Sequence, residues 1–434
     1  MILIIGGGLA GMSTAYHLED RPHLVLEAGD RPGGLCCSRA VNGFTFDYTG
    51  HLLHMRDPRI MALVDEMLPD TFDQISRKAR ILTRGALLPF PFQANLHGLP
   101  PRVVAECLIG FVESIPVPVS DDPATSFEDW SMAVFGEGIS RVFMLPYNRK
   151  LFCREPAQMT ADWVSWAVPK PTLREVVQGA LGIENEAMGY NPSFRYPRQG
   201  GIGVLPEALA RRVPKMRLQA RVTGVDLDGR TVALADGETL SYETLVVTTP
   251  LPGFLRMIQG GPEGLPALAD RLDWSVVACL NLGIDRPGIA DGAHWIYTPD
   301  DDVPFYRVGF PSNFSDGVAP EGTSSMYVEF GLRRDEPFDT EAMTEKALSA
   351  MRDKGILRPE DRVLARDWVR IDPGYVIFDR DRQEVMRRVV PELRKHDVHL
   401  IGRYGAWTYS YMERALLDGL ELAERLVGSV TTER

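Results

Sequence analysis

The chain has 434 residues, enough for two or three domains around a large core, and its 44% hydrophobic and 24% charged residues are ordinary for a soluble globular protein. A formal net charge of −12 excludes a general nucleic-acid binder, which needs a basic face, and leaves only a local basic pocket for an anionic small molecule. No apolar run reaches the ~18 residues of a membrane span, so no integral membrane association is expected. The five scattered cysteines (Cys36, Cys37, Cys107, Cys153, Cys279) suit a reduced, cytoplasmic setting better than a disulfide framework.

The elements begin at once. Met1-Ile2-Leu3-Ile4-Ile5 is an uncharged apolar run and predicts a buried parallel strand. No signal peptide is expected, because that run is too short and already belongs to the fold. Gly6-Gly7-Gly8-Leu9-Ala10-Gly11 follows, and Met12 to Glu19 predicts a helix. In such a loop Gly6 and Gly8 permit the turn and the approach of backbone N–H groups to a diphosphate, with Leu9 and Ala10 in the same turn. Gly11 permits close helix–strand packing. Leu24-Val25-Leu26 predicts a second strand ending in Glu27, placed to accept hydrogen bonds from an adenosine ribose.

Glu27-Ala28-Gly29-Asp30-Arg31-Pro32-Gly33-Gly34, continued by Leu35, resembles the second fingerprint of the FAD-binding amine oxidase superfamily. There the arginine and the glycine pair lie beside the FAD diphosphate, so the expected cofactor is FAD. Cys36-Cys37 follows directly, either in a redox role or as small residues where a backbone hugs a cofactor. No His/Cys cluster has metal-ligand spacing. No Gly-x-Ser-x-Gly elbow supports a serine hydrolase.

Phe44-Thr45-Phe46-Asp47-Tyr48 alternates like a strand and leads to Thr49-Gly50-His51. Gly50 permits close approach to a planar ring and His51 would project over it; the alternative for His51 is a hydrogen-bonded core histidine. Pro58 opens a helix, and two short strands flank the turn Thr83-Arg84-Gly85-Ala86. Leu88-Pro89-Phe90-Pro91-Phe92-Gln93-Ala94-Asn95 is expected to be irregular because of its prolines, and it offers aromatic faces and amides for a planar base. Helices are predicted at about 100–114, 127–136, 138–145, 156–166 and 172–182, with Ser126 capping the second. Pro146-Tyr147-Asn148 is expected as a tight turn whose Asn148 either presents its amide to a ligand or is an ordinary turn residue.

Phe194 to Gly201 returns the chain to the first domain through the Gly200-Gly201 turn, and strands follow at 221–225, 231–234 and 245–250. Val222 would hold the adenine by its backbone. Residues 274–335 are strand-rich, with an amphipathic helix at 340–354. Arg307 stands among strand-type aromatics and needs a partner, either a phosphate or an acid in a structural salt bridge. Leu400-Ile401-Gly402-Arg403 ends a strand before the closing helix at 413–427, an anion site for the FAD diphosphate. The expected fold is α/β. A discontinuous Rossmann-like FAD domain takes 1–75, 190–270 and 365–434, a mainly helical substrate-binding insertion takes 76–189, and an antiparallel sheet domain with a helix takes 271–364.

Nearly end to end, these residues resemble the UDP-galactopyranose mutase family, especially its eukaryotic-type branch. Gly50-His51 matches the end of that family's Gly-Gly-His loop over the flavin. Pro91-Phe92-Gln93 matches its uridine-gripping segment, with Phe90 where a tyrosine is usual. Pro146-Tyr147-Asn148 matches too, giving Asn148 a uracil contact, with Phe152 where the family prefers tryptophan. Tyr297 and Arg307, with Tyr375 and Tyr409, match the diphosphate-binding set; Arg403, Tyr409 and Met412 match the flavin-binding C-terminus.

The resemblance implies a pyranose–furanose mutase acting on a nucleoside-diphosphate sugar, with reduced flavin N5 as nucleophile at the anomeric carbon and NAD(P)H or another donor as reductant. Gly50, His51 and Arg307 would then stand nearest the chemistry. Two departures bear on the substrate: Ala167 stands where the family has a second diphosphate arginine, and Phe314 where it has a tyrosine. The second reading is an oxidoreductase of the amine oxidase or protoporphyrinogen oxidase type.

Overall fold

The computed structural model describes residues 1–164, 168–183 and 192–428. Its nucleotide-type layer is a five-stranded sheet in the order Val398–Leu400, Thr244–Val247, Ile2–Ile5, His23–Leu26, Met216–Arg217, with every pair parallel. Ile2 pairs with both Thr244 and His23, so the first strand lies at the centre, and all four of its residues are buried. That explains its lack of polar residues: a strand covered on both faces has no solvent side to decorate. The Leu9–His17 and Met412–Gly428 helices cover this sheet side by side, and Ser13 Oγ donates to the Leu416 carbonyl at 2.6 Å.

A seven-stranded sheet forms the second layer, in the order Val363–Val376, Trp274–Ile284, Ser324–Leu332, Arg307–Gly309, Trp295–Tyr297, Ala79–Thr83, Ala86–Pro89. Its pairs are antiparallel except for Trp295–Tyr297 with Ala79–Thr83. The sheet therefore crosses the expected boundaries near 76 and 365, because the 79–89 hairpin and the 363–376 strand are hydrogen-bonded into it. Residues of the Thr340–Asp353 helix, among them Ala347 and Met351, share a buried core with Val276, Leu280 and Val328 of this sheet. A smaller four-stranded sheet runs Thr239–Ser241, Thr231–Leu234, Val222–Asp226, Ile258–Gln259.

The helical block comprises Pro101–Ser114, Phe127–Ile139, Leu145–Phe152 and Leu173–Ala180. Ser126 caps the second helix, accepting from the Asp129 N–H. Three local expectations need correction. The predicted 156–166 helix is a single 3-10 turn at Pro156–Gln158. Beyond it the backbone is used for tertiary pairing: the Phe127 N–H donates to the Met159 carbonyl and the Thr160 N–H to that of Phe378. Residues 165–167, which include Ala167, lie outside the described residues. The proline-rich run is more regular than expected. The Ala86–Pro89 strand is the last in its sheet, where a proline's missing N–H need not break a ladder, and Phe92–Ala94 forms a 3-10 turn. Pro146-Tyr147-Asn148 is helical, with Pro146 in the first turn, where no N–H is required. A five-residue π-helical stretch, Ser140–Met144, leads directly into it.

Candidate functional site

The glycine loop has the packing its sequence requires. A Cβ on Gly11 would lie 2.0 Å from the Gly6 carbonyl oxygen, so only glycine lets the first helix sit on the loop. Glu27 braces the loop from the second strand: its Oε2 accepts from the Gly7 N–H and its Oε1 from the Gly29 N–H, each at 2.7 Å. The second glycine pair closes against the first, with the Gly33 N–H donating to the Gly7 carbonyl at 2.9 Å and Gly34 facing Gly8. Arg31 donates to Tyr48 Oη at 2.8 Å. Gly402 packs on Ala10, Met412 is buried in the same core, and Val222 is buried in the four-stranded sheet. Cys36 and Cys37 are both buried, and burial pushes their thiols up, so each is protonated at neutral pH and unsuited to thiolate chemistry.

These residues fit a flavin dinucleotide on observations of the structure itself. The facing glycines leave a side-chain-free cradle. Thr249, whose methyl group lies beside Gly6, has its Oγ1 buried without a protein partner, and so has Arg403 at Nε, as groups awaiting a ligand would be. Sequence reasoning missed Thr249.

The aromatic residues expected on the substrate side fall into two series of packed rings. Phe92 stacks on Phe143 (centroids 5.1 Å apart), Phe143 on Tyr147 (5.4 Å), and Tyr147 meets Tyr297 edge-on (5.3 Å), with Phe90 packed on Tyr297 (5.4 Å). Phe152 meets Tyr375 (5.7 Å), which stacks on Tyr409 (5.9 Å). The two amides are buried and internally anchored: Gln93 Nε2 donates to the Pro169 carbonyl at 2.7 Å, and Asn148 Nδ2 to that of Met144 at 2.8 Å.

A guanidinium stands beside each series, Arg403 over Tyr375 and Tyr409 and Arg307 opposite Tyr297 on the neighbouring strand. Arg403 lies over Tyr375 and Tyr409 (5.1 and 5.2 Å) and donates to the Ser410 and Gly374 carbonyls. It thus joins the C-terminal segment to the tyrosines. Arg307 forms the salt bridge that the sequence left as an alternative to phosphate. Its Nε donates to Glu329 Oε2 at 2.5 Å and its Nη2 to Glu329 Oε1 at 2.7 Å, and the Glu329 side chain is fully buried. The pair uses two of the five guanidinium N–H donors.

Gly50 and His51 lie beside this pair. The Gly50 N–H approaches Glu329 Oε1 at 3.4 Å. Gly50 is also packed against the Tyr327 ring, where a Cβ would lie 2.2 Å from Tyr327 Oη. His51 is held by Thr49, with Nδ1 3.3 Å from the Thr49 carbonyl, and burial pushes its imidazole down to about 4, so it is neutral at pH 7. Tyr327 and Glu329 were both missed as site residues. They sit two apart on Ser324–Leu332 and therefore face the same side. A lone charged residue, Glu329, in an otherwise uncharged strand was the available signal, the same one that marked Arg307. Phe314 packs edge-on to Tyr196 and Phe194 in a cavity shared with His51.

A wider surface cavity of about 670 Å³ lies elsewhere, lined by Arg141, Arg149 and Asp300 among others. Its Arg141 and Arg149 are paired with Glu137 and Glu155, and none of the expected site residues lines it. Among the described residues, no helix is long and apolar enough to cross a membrane.

The UDP-galactopyranose mutase whose reduced form has been crystallised superposes with a TM-score of 0.93 at 29% identity, covering 99% of this chain and 94% of that one. A putative protoporphyrinogen oxidase from Exiguobacterium shares the fold, with a TM-score of 0.75 at 17% identity over 99% and 98% of the two chains. By sequence, coproporphyrinogen III oxidase of Mycobacterium leprae is 25% identical over 316 residues, 65% of this chain and 67% of that protein. Protoporphyrinogen oxidase 1, chloroplastic, of Arabidopsis thaliana is 24% identical over 328 residues, 66% of this chain and 59% of that protein. The chain thus spans about three-fifths to two-thirds of the length of these relatives. The family model for flavin containing amine oxidoreductases matches residues 9–427, nearly the whole chain, and the protein belongs to that family.

Proposed function

We propose that this protein is a flavin-dependent sugar-nucleotide mutase of the UDP-galactopyranose mutase kind, with the eukaryotic-type pattern at Pro91-Phe92-Gln93 and Pro146-Tyr147-Asn148. The observation that carries the reading is the Arg307 guanidinium, held by Glu329 beside Gly50 with donors to spare. It is equipment for a diphosphate, as is Arg403 over Tyr375 and Tyr409, and the buried Gln93 and Asn148 amides are equipment for a base. The 0.93 TM-score to a mutase supports it.

When bound, the reduced flavin supplies the nucleophile, N5, directed at the anomeric carbon of the sugar. The Gly6–Gly11 loop, Glu27, Arg31, Gly33-Gly34, Val222, Thr249, Gly402 and Met412 would hold it. The remaining work is geometric and electrostatic. Phe92 and the Gln93 and Asn148 amides hold the base, and Phe90, Phe152 and the rings packed on them exclude water. The free N–H donors of Arg307, together with Arg403, Tyr297, Tyr375 and Tyr409, stabilise the departing diphosphate. His51 stays neutral and can share a hydrogen bond with the sugar without fixing a charge beside it. The partner is a nucleoside-diphosphate sugar, the setting cytoplasmic, and the reductant NAD(P)H or another donor.

One observation favours a second reading: the sequence relatives are oxidases, and the same guanidiniums could bind the carboxylates of a porphyrinogen. The buried Gln93 and Asn148 amides favour the first reading, since a porphyrinogen has no base edge for them to recognise. A spectral titration of reduced protein with UDP tests the proposal. Binding that is weakened in both Asn148→Ala and Arg307→Ala supports it, and binding indifferent to both removes its basis.

A further inference from the structure

The Gly200-Gly201 turn has no part in the site described so far. It packs against Asp47, the last residue of the Phe44–Asp47 strand and the last anchored carboxylate before Gly50 and His51. Asp47 Oδ1 accepts from Ser38 Oγ at 2.6 Å and from the Ile202 N–H at 3.1 Å, and Oδ2 accepts from Tyr196 Oη at 2.7 Å. The Asp47 carbonyl accepts from Asn281 Nδ2 at 3.2 Å, and Ser38 Oγ accepts from the Gly203 N–H at 2.9 Å. Gly201, with φ +67°, comes so close that a Cβ would lie 2.5 Å from Ser38 Oγ and 2.6 Å from Asp47 Oδ1. One carboxylate thus gathers segments around residues 38, 196 and 202, while its backbone holds 281. Among the described residues no lysine, arginine or histidine pairs with it. Asp47 and His51 line one small enclosed cavity, together with Asn281, Phe314 and Ser325, whose Oγ is buried without a partner.

We propose that Asp47 is a positioning residue whose ionised carboxylate fixes the end of its strand and so sets Gly50 and His51 against the flavin. The inference rests on the flavin reading and not on which substrate is used. A buried carboxylate held by neutral donors alone is costly to keep charged, and burial pushes Asp47 up to about 6 against the opposing hydrogen bonds of Ser38, Tyr196 and Ile202. An uncharged amide has one acceptor oxygen and cannot take all three donors as the carboxylate does. Of the titratable groups facing it, Tyr196, Cys36, Cys279 and Tyr327 are raised by burial, and His51 is pushed down to about 4. Arg39 and Arg195, on the strands beside it, are paired with Asp367 and Asp65. Burial places the titration of Asp47 at about 6.

The test compares wild-type and Asp47→Asn holoenzyme by thermal midpoint, by the absorption spectrum of bound flavin across pH 5 to 8, and by turnover of UDP-galactose after reduction. The variant is expected to keep or raise the midpoint at pH 7.5, to shift the flavin bands, and to lower kcat about 10-fold or more with KM within about twofold, as a misplaced catalytic loop does. The wild-type spectrum is expected to change near pH 6 and the variant's to stay constant. Tyr196→Phe, which removes one donor, is expected to move the wild-type transition upward. Unaltered spectra in Asp47→Asn, a spectral change that merely follows a fallen midpoint, or an unmoved transition in Tyr196→Phe overturns the proposal. If no form turns over UDP-galactose, the substrate reading fails while the spectra still decide the role of Asp47.

Discussion

The Arg307 guanidinium is gripped on two N–H groups by the fully buried carboxylate of Glu329, at 2.5 and 2.7 Å, one residue contact away from the Gly50 N–H. The pair makes the arginine an oriented donor, with its remaining N–H groups available to a second anion. Its buried setting also makes each partner dependent on the other. Glu329→Ala leaves an unpaired buried cation and is expected to cost about 3–5 kcal/mol in a urea unfolding series. UDP should stabilise this variant more than it does the wild type, since the ligand's phosphates replace the lost carboxylate.

Gly50→Ala places a methyl within 2.2 Å of Tyr327 Oη and 2.7 Å of its Cζ. Removing the hydroxyl relieves only the first contact, so Gly50→Ala combined with Tyr327→Phe should remain impaired. Overpacking of this kind costs about 1–3 kcal/mol, and thermal unfolding of the single and double variants measures it. A double variant as stable as the wild type would place the strain elsewhere.

The amides make a third prediction. Gln93→Ala and Asn148→Ala should each weaken UDP binding to the reduced protein by about 10-fold, the effect of one hydrogen bond, and leave binding of inorganic diphosphate unchanged. Isothermal titration with both ligands separates base recognition from phosphate recognition.

Burial pushes His51, His54 and His294 each down to about 4 from an ordinary 6.5. Between those values the unfolded chain binds more protons at these positions than the folded one, so stability is lost as the pH falls from about 6.5 towards 4. Asp47 acts with the opposite sign: its folded value of about 6 lies above the ordinary 3.8, so protonation there favours the fold as the pH falls. Urea midpoints measured from pH 7.5 to 4.5 should decline in the wild type and decline less steeply in His51→Gln, which removes one of the three histidines. Parallel slopes would show that His51 does not resist protonation.

The cofactor end of this molecule was legible because each constraint there is local. A strand without polar residues, three spaced glycines and a terminal acid predict one loop, and Gly11 and Glu27 sit where that loop needs them. The substrate end depends on residues joined by the sheet rather than by the chain. Arg307 asked for a partner, but nothing local named Glu329 on a neighbouring strand, or Tyr327 as the ring beside Gly50. Pro146-Tyr147-Asn148 misled for a different reason: proline is a turn signal and equally a first-turn helix residue, and the π-helical stretch before it favoured the helix. The 156–166 segment has helical composition, yet its backbone is used by Phe127 and Phe378.

The most direct measurement incubates the dithionite-reduced and the oxidised protein with UDP-galactopyranose under argon and separates the nucleotide sugars by chromatography. The account predicts interconversion with the furanose form by the reduced protein alone, with no net change in flavin redox state. Absence of any interconversion by the reduced protein, together with oxygen-consuming oxidation of a porphyrinogen or amine, would contradict it.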